Sequence, residues 1–210
     1  MEPVEGPGPV VVVFSDYACP FCYLGKVAVD QLKREFPVQV EWRHIEIHPE
    51  TPLDGIPRAS LGVGYYSQAW LHVERLAAER GIPIHPSPLL VNTSFALIAT
   101  EYARAQGRFA AFHDAVFRAY WLEGQNIGAL KVLGALAKQV GLDPAGLTTY
   151  FKAGAWVAAL EAQRRSAADH RVTGVPTVVI AESVIVGAQP YEVLREAVRR
   201  VLGGGAAAPA

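Results

Sequence analysis

Hydrophobic positions follow three different periods along this chain. Val10 to Ser15, preceded by Pro9, is a β-branched run without alternation, which suits a strand covered on both faces. From Pro20 the apolar residues Leu24, Val27, Ala28, Leu32 and Phe36 recur at helical spacing until Pro37 stops them; proline is tolerated in a first turn because its missing N–H has no intrahelical partner there. Residues 38 to 47, VQVEWRHIEI, alternate and predict a second strand. A β–α–β unit is therefore expected by residue 47.

The middle of the chain reads differently. Residues 48 to 64 are loop-like, with Pro49, Pro52, Gly55 and Pro57. Helical patterns follow over 65–80, 93–106, 109–122 and 127–140, three of them closed by Gly81, Gly107 and Gly141, where glycine accepts the left-handed stop. Asp143-Pro144 reads as an N-cap and N1 pair. No strand signal interrupts residues 60 to 150. A further helix over 156–170 leads to two short β-branched runs, 177–181 and 184–187, with Glu182-Ser183 as a tight turn between them. A last amphipathic helix, 191–202, carries Leu194, Val198, Val201 and Leu202. Strands at both ends must share one sheet, because neither end can bury its strands alone. The expected fold is α/β: the thioredoxin order of elements, with an all-helical domain inserted after the second strand. Residues 8–50 and 155–203 form the discontinuous thioredoxin-like domain, 51–154 the insertion, and 204–210 a frayed tail.

Composition narrows the partners. The 210 residues are 51% hydrophobic and 19% charged, with a formal charge of −1 and no basic block, so neither nucleic acid nor a membrane surface is an expected partner. Apolar runs fall short of a membrane span. The opening MEPVEGPGP has no basic region followed by an apolar one, so a cytoplasmic location is expected. A reducing compartment disfavours a permanent disulfide.

That matters because the only cysteines, Cys19 and Cys22, stand two residues apart in SDYACPFCYLGK. At a helix start, unpaired N–H groups and the macrodipole stabilise a thiolate and lower its pKa. Cys19 is expected to be the exposed nucleophile and Cys22, one turn inside, the resolving thiol. Alternatives remain open at this point. A lone C-x-x-C is also half a zinc site, and His44 and His48 would complete a Cys₂His₂ set, although a full helix and strand fill the intervening chain. Two inert core thiols are a further reading. Gly174-Val175-Pro176-Thr177 weighs towards redox chemistry: a proline opening a strand is a frequent cis site. In a thioredoxin-type sheet it would face the thiols and leave Val175 to pair with an extended substrate.

Ser15-Asp16 before Cys19-Pro20-Phe21-Cys22-Tyr23-Leu24-Gly25, then Asn92-Thr93, Val140-Gly141-Leu142-Asp143 and Gly174-Val175-Pro176-Thr177, together resemble the DsbA-like thioredoxin-fold oxidoreductases, most closely their FrnE-like branch. The likeness runs from about residue 10 to 202. It implies thiol–disulfide exchange by Cys19 and Cys22 opposite a cis-Pro176, with protein or peptide thiols and disulfides as partners and no resident cofactor; glutathione is left open as a co-substrate. The branch usually carries Trp between the cysteines, where Phe21 stands here. The same superfamily includes glutathione-dependent isomerases and transferases that use a single Ser or Cys, a reading in which Cys22 has no task. A redox-regulated holdase, with its function in the insertion, is a third reading.

Around the thiols, Asp16 is a candidate proton relay or a turn-capping carboxylate. Pro20, Phe21, Val175 and Tyr23 are expected to touch substrate. Tyr17, Phe21 and Tyr23 either form an apolar surface or pack under the insertion. His44, Glu46 and His48 share one strand face, and no residue is assigned to a metal.

Overall fold

The computed structural model describes residues 8–61, 65–85 and 87–203. The expected tail, 204–210, and most of the opening segment lie outside the described residues. Strand β1 (Val10–Ser15) lies at the centre of a four-stranded sheet with β2 (Gln39–His44), β5 (Thr177–Ile180) and β6 (Ser183–Val186), in the order β2-β1-β5-β6. β1 and β2 run parallel, joined by helix α1 (Pro20–Glu35), while β5 and β6 are antiparallel to their neighbours. The chain belongs to the thioredoxin-like α/β class, with eight helices among the described residues.

The valine run does not alternate because both faces of β1 are covered. Val11 and Val13 pack with Val178 and Ile180 against Val29 and Leu32 of α1 and Leu194 and Val198 of α8 (Tyr191–Leu202). Phe14 and Val179 face Ala167 of α7 (Trp156–Asp169) on the other side. Val201, expected in the apolar stripe of α8, is instead exposed, and Ala197 takes the buried position.

Between the two halves of the sheet lie α2 (Tyr65–Glu79), α3 (Ser94–Ala105), α4 (Phe109–Trp121), α5 (Leu130–Gln139) and α6 (Pro144–Ala153). Their core includes Phe112, Val116, Phe117, Tyr120, Trp121 and Leu133 and is continuous with Tyr17, Cys19, Cys22 and Tyr23. Asp143 caps α6 by accepting the Ala145 and Gly146 amides at 2.9 Å, with Pro144 following.

The structure departs from the sequence pattern in four places. Two residues, Leu89–Leu90 (β4), pair with Ile56–Pro57 (β3) inside the helical region; a two-residue ladder is too short to leave a period in sequence. β2 ends at His44, three residues early. The Ile45 amide makes its last bond to the Ser15 carbonyl at 2.9 Å, and the Ile47 amide turns to the Asp16 carboxylate at 2.7 Å. α5 starts at Leu130, not near Ile127, because Asn126 holds residues 126–129 in a turn: its side chain accepts the Gly128 amide at 2.9 Å and its carbonyl accepts the Ala129 amide at 3.1 Å. The hairpin turn is Ala181-Glu182, with Ile180 paired to Ser183 and Ala181 at φ 50°, the positive φ that a two-residue hairpin turn requires.

Candidate active site

Cys19 is the N-cap of α1, in extended conformation, and Pro20 occupies the first helical position. Its carbonyl accepts the Cys22 and Tyr23 amides at 3.1 and 3.3 Å, closing the first turn over the two sulfurs. Both thiols are free. Cys22 is 1% exposed, and burial pushes its thiol well up, with the adjacent Cys19 thiol adding to the effect. The Asp16 amide opposes that rise by donating to Cys22 Sγ at 3.4 Å. Cys19 was expected to be exposed; it is only 5% exposed, because the turn that carries it is packed into the helical core. Its Sγ donates to the Val175 carbonyl at 3.7 Å.

Val175 precedes Pro176 through a cis peptide bond. The Pro176 ring rests on α1: a Cβ built on Gly25 would lie 3.3 Å from Pro176 Cγ. The Pro176 carbonyl accepts the Gly187 amide at 2.8 Å, which ties this corner to the β5–β6 hairpin. Glycine at position 25 is thus what lets the helix and the proline loop approach so closely.

Asp16 is fully buried directly before this turn. Its Oδ1 accepts the Ala18 amide at 3.0 Å, and its Oδ2 accepts the Ile47 amide at 2.7 Å and the Thr93 hydroxyl at 3.3 Å. Burial raises the carboxyl to about 6, against the pull of those three donors, and Glu46 adds a smaller rise. The carboxylate therefore caps the turn and also titrates near neutrality. These contacts are those of a turn-capping carboxylate.

A family model for the DSBA-like thioredoxin domain matches residues 10–199. The chain belongs to the DsbA-like family. The uncharacterized protein YwbO of Bacillus subtilis is 31% identical over 196 residues, which is 90% of this chain and 94% of that one. A 2-hydroxychromene-2-carboxylate isomerase of Sphingobium xenophagum is 26% identical over 83% of this chain and 90% of its own length. Among solved structures, a probable DsbA oxidoreductase from Streptomyces coelicolor superposes with a TM-score of 0.82 at 25% identity, covering 96% of this chain and 93% of that one. A probable DsbA oxidoreductase and an isomerase thus stand side by side among the proteins that this DsbA-like chain resembles.

The remaining expected residues of this DsbA-like site divide. Pro20 and Phe21 are half-buried beside the thiols, and the Phe21 ring lies 5.8 Å from that of His72 on α2. Tyr23 does not reach the surface as expected. It is 8% exposed, with its ring beside those of Phe117 and Trp121 in the helical core. Tyr17 is also interior: its hydroxyl meets Thr100 Oγ1 at 2.7 Å and His113 Nδ1 at 3.0 Å, and its carbonyl accepts the Trp121 indole N–H at 2.9 Å. Packing under the insertion is the reading that fits both tyrosines.

His44, Glu46 and His48 do not form a cluster. His44 sits among the rings of Tyr17, Phe109 and His113, Glu46 accepts the Ser94 hydroxyl at 2.6 Å, and His48 pairs with Glu50 at 3.1 Å. No group of three or more His, Cys, Asp or Glu side chains among the described residues is placed to hold a metal ion.

Asn92-Thr93 is among the residues that carry the family likeness, but the bond from the Thr93 hydroxyl to Asp16 was not foreseen. As N-cap of α3 its hydroxyl was available to the helix, yet it makes no side-chain cap bond and goes to Asp16. Asn92 takes over by accepting the Ser94 amide at 3.0 Å. The one visible signal was two capping residues in a row where a helix needs one.

Proposed function

We propose that this protein is a dithiol–disulfide oxidoreductase of protein or peptide substrates, with Cys19 as nucleophile and Cys22 as resolving thiol. The observation that carries the reading is the contact between Cys19 Sγ and the Val175 carbonyl. It places the first sulfur against the Val175–Pro176 edge, with Cys22 behind it. In the reducing direction the Cys19 thiolate attacks one sulfur of a substrate disulfide. A mixed disulfide forms and one substrate thiolate leaves. Cys22, having given up its proton, attacks Cys19 Sγ; the mixed disulfide breaks, the second substrate thiolate leaves, and two electrons have passed to the substrate. Oxidation of a substrate dithiol runs the same steps backwards.

Cys22 needs a proton acceptor, because its buried thiol holds its proton tightly. Asp16, pushed to about 6, is ionised above that pH, and its backbone touches the Cys22 sulfur. Between the two residues the direct bond runs from the Asp16 amide, so a proton passing from Cys22 to the carboxylate crosses an intervening water. Val175 and Pro176 present an edge to an extended substrate, and Pro20 and Phe21 border it. Helices α3 to α6 belong to the proposed insertion, whose core encloses the thiol turn. Glutathione serves as the small thiol partner, and the cytoplasm is the proposed location.

A second reading, a glutathione-dependent isomerase, draws support from the isomerase relative and from the enclosure of Cys19. Cys22→Ser separates the two. Incubated with glutathione disulfide, the oxidoreductase variant accumulates a stable Cys19–glutathione mixed disulfide, seen by intact mass, and loses turnover. An isomerase keeps its activity after the same change.

A further inference from the structure

A cavity of about 300 Å³ lies between the end of β2 and helices α3, α6 and α7, and none of the thiol-site residues lines it. Its size is at the lower end of small-molecule sites, about 300–1,000 Å³. Its walls are aromatic. The rings of Phe95 and Phe151 meet edge to face at 5.4 Å, and Trp156 donates its indole N–H to the Phe151 carbonyl at 3.1 Å. The one polar atom of that indole is thus satisfied within the protein, and its apolar surface remains for a guest.

Trp156, Leu160 and Arg164 are spaced four apart on α7, so one face of that helix supplies an aromatic, an aliphatic and a cationic residue to the same cavity. Arg164 is exposed and has neither a hydrogen bond nor a carboxylate partner among the described residues. The carboxylate on the opposite wall, Glu46, is engaged by the Ser94 hydroxyl at 2.6 Å. The guanidinium is therefore available to an outside anion, for which its planar pair of donors is suited. His44 supplies an independent observation. It is 2% exposed and lines the cavity, and neither of its ring nitrogens has a partner among the described residues. Burial, helped by Arg104, holds it down to about 3, so at neutral pH it offers one N–H and one lone pair without charge. Buried polar groups without partners are rare in proteins.

We propose that this cavity binds a small organic carboxylate, with an aromatic ring held by Phe95, Phe151 and Trp156 and the carboxylate on Arg164. The apolar wall supplies most of the affinity. The guanidinium, being solvated at the mouth, supplies orientation and the preference for an anion. The site does not depend on thiol chemistry.

The test is a calorimetric titration of the full chain with 3-phenylpropionate and with its neutral counterpart 3-phenylpropanamide. Saturable one-to-one binding of the carboxylate is expected, about threefold to fivefold tighter than the amide. Arg164→Gln, a surface change, should bring the two ligands to equal affinity. Leu160→Trp, which fills the cavity, should abolish both. Cys19→Ser should bind as the unaltered chain does. Absence of saturable binding in the unaltered chain overturns the proposal, as does carboxylate binding that survives Arg164→Gln or Leu160→Trp undiminished. Loss of binding in Cys19→Ser would move the ligand to the thiol mouth and overturn it equally.

Discussion

The Asp16 amide donates to Cys22 Sγ at 3.4 Å, while the Asp16 carboxylate is closed off by Ala18, Ile47 and Thr93. One residue therefore presents its backbone to the inner sulfur and its side chain to the structure that frames the turn. The pH behaviour of the molecule follows from that division, because the buried carboxyl titrates where its surroundings raise it.

Asp16→Asn tests the carboxyl directly. Its native value of about 6 exceeds the ordinary 3.8, so the folded protein binds an extra proton between those values. Stability of the native chain is therefore lost as pH rises through that window. Asn has no such titration. The stability difference between variant and native protein should shift by roughly 2–3 kcal/mol in the variant's favour between pH 4 and 7. Urea denaturation at the two pH values measures it. Resolution by Cys22 should at the same time slow tenfold or more above pH 6.

Thr93→Val removes one of the donors that hold Asp16 down. The Asp16 carboxyl should then titrate at higher pH than in the native protein, which ¹³C NMR of that carboxyl reads without reference to activity. An unchanged titration would mean that the 3.3 Å hydroxyl contact contributes nothing.

His44 and His113 set the acid limit. Burial lowers both, His44 to about 3, with Arg104 repelling His44 and with His44, Lys26, Arg104 and Lys33 repelling His113. In the unfolded chain both titrate near 6.5. Their contribution is intact above that value and is lost as pH falls, opposite in sign to Asp16. As pH falls below that value, the protons the histidines take up on unfolding oppose the proton Asp16 gives up, and each lowered histidine adds a slope along which stability falls with pH. His44→Phe should flatten that slope, and it strands no partner among the described residues, where neither nitrogen has one.

Gly25→Val drives a branched side chain towards a proline ring that a bare Cβ would already approach to 3.3 Å. A loss of about 1–3 kcal/mol is expected from such overpacking, with disulfide exchange reduced further than stability. Gly25→Ala should be nearly neutral in stability: a helix gain of about 1 kcal/mol offsets the tight contact.

Much of this was legible in one dimension. The run Val10 to Ser15, the helix opening at Pro20 and the late hairpin carry local signals strong enough to order the sheet, and the C-x-x-C and Val175-Pro176 segments meet where that order predicts. What escaped depends on distant chain. The exposure of Cys19 is decided by helices far along the sequence, and the destination of the Thr93 hydroxyl by a carboxylate 77 residues away. The β3–β4 pair is too short to signal itself. The continuity of the core around Tyr23 could not be read from a helical period, which says that a face is buried but not beneath what.

Equilibrium titration of the Cys19–Cys22 pair in a glutathione redox buffer, followed by intact mass after alkylation, tests the central claim most directly. A cycling dithiol predicts one reversible transition involving both sulfurs, with the two-electron dependence of about 30 mV per tenfold change in the dithiol-to-disulfide ratio. Two thiols that remain reduced across the whole buffer range, or that form only separate glutathione adducts, would contradict it.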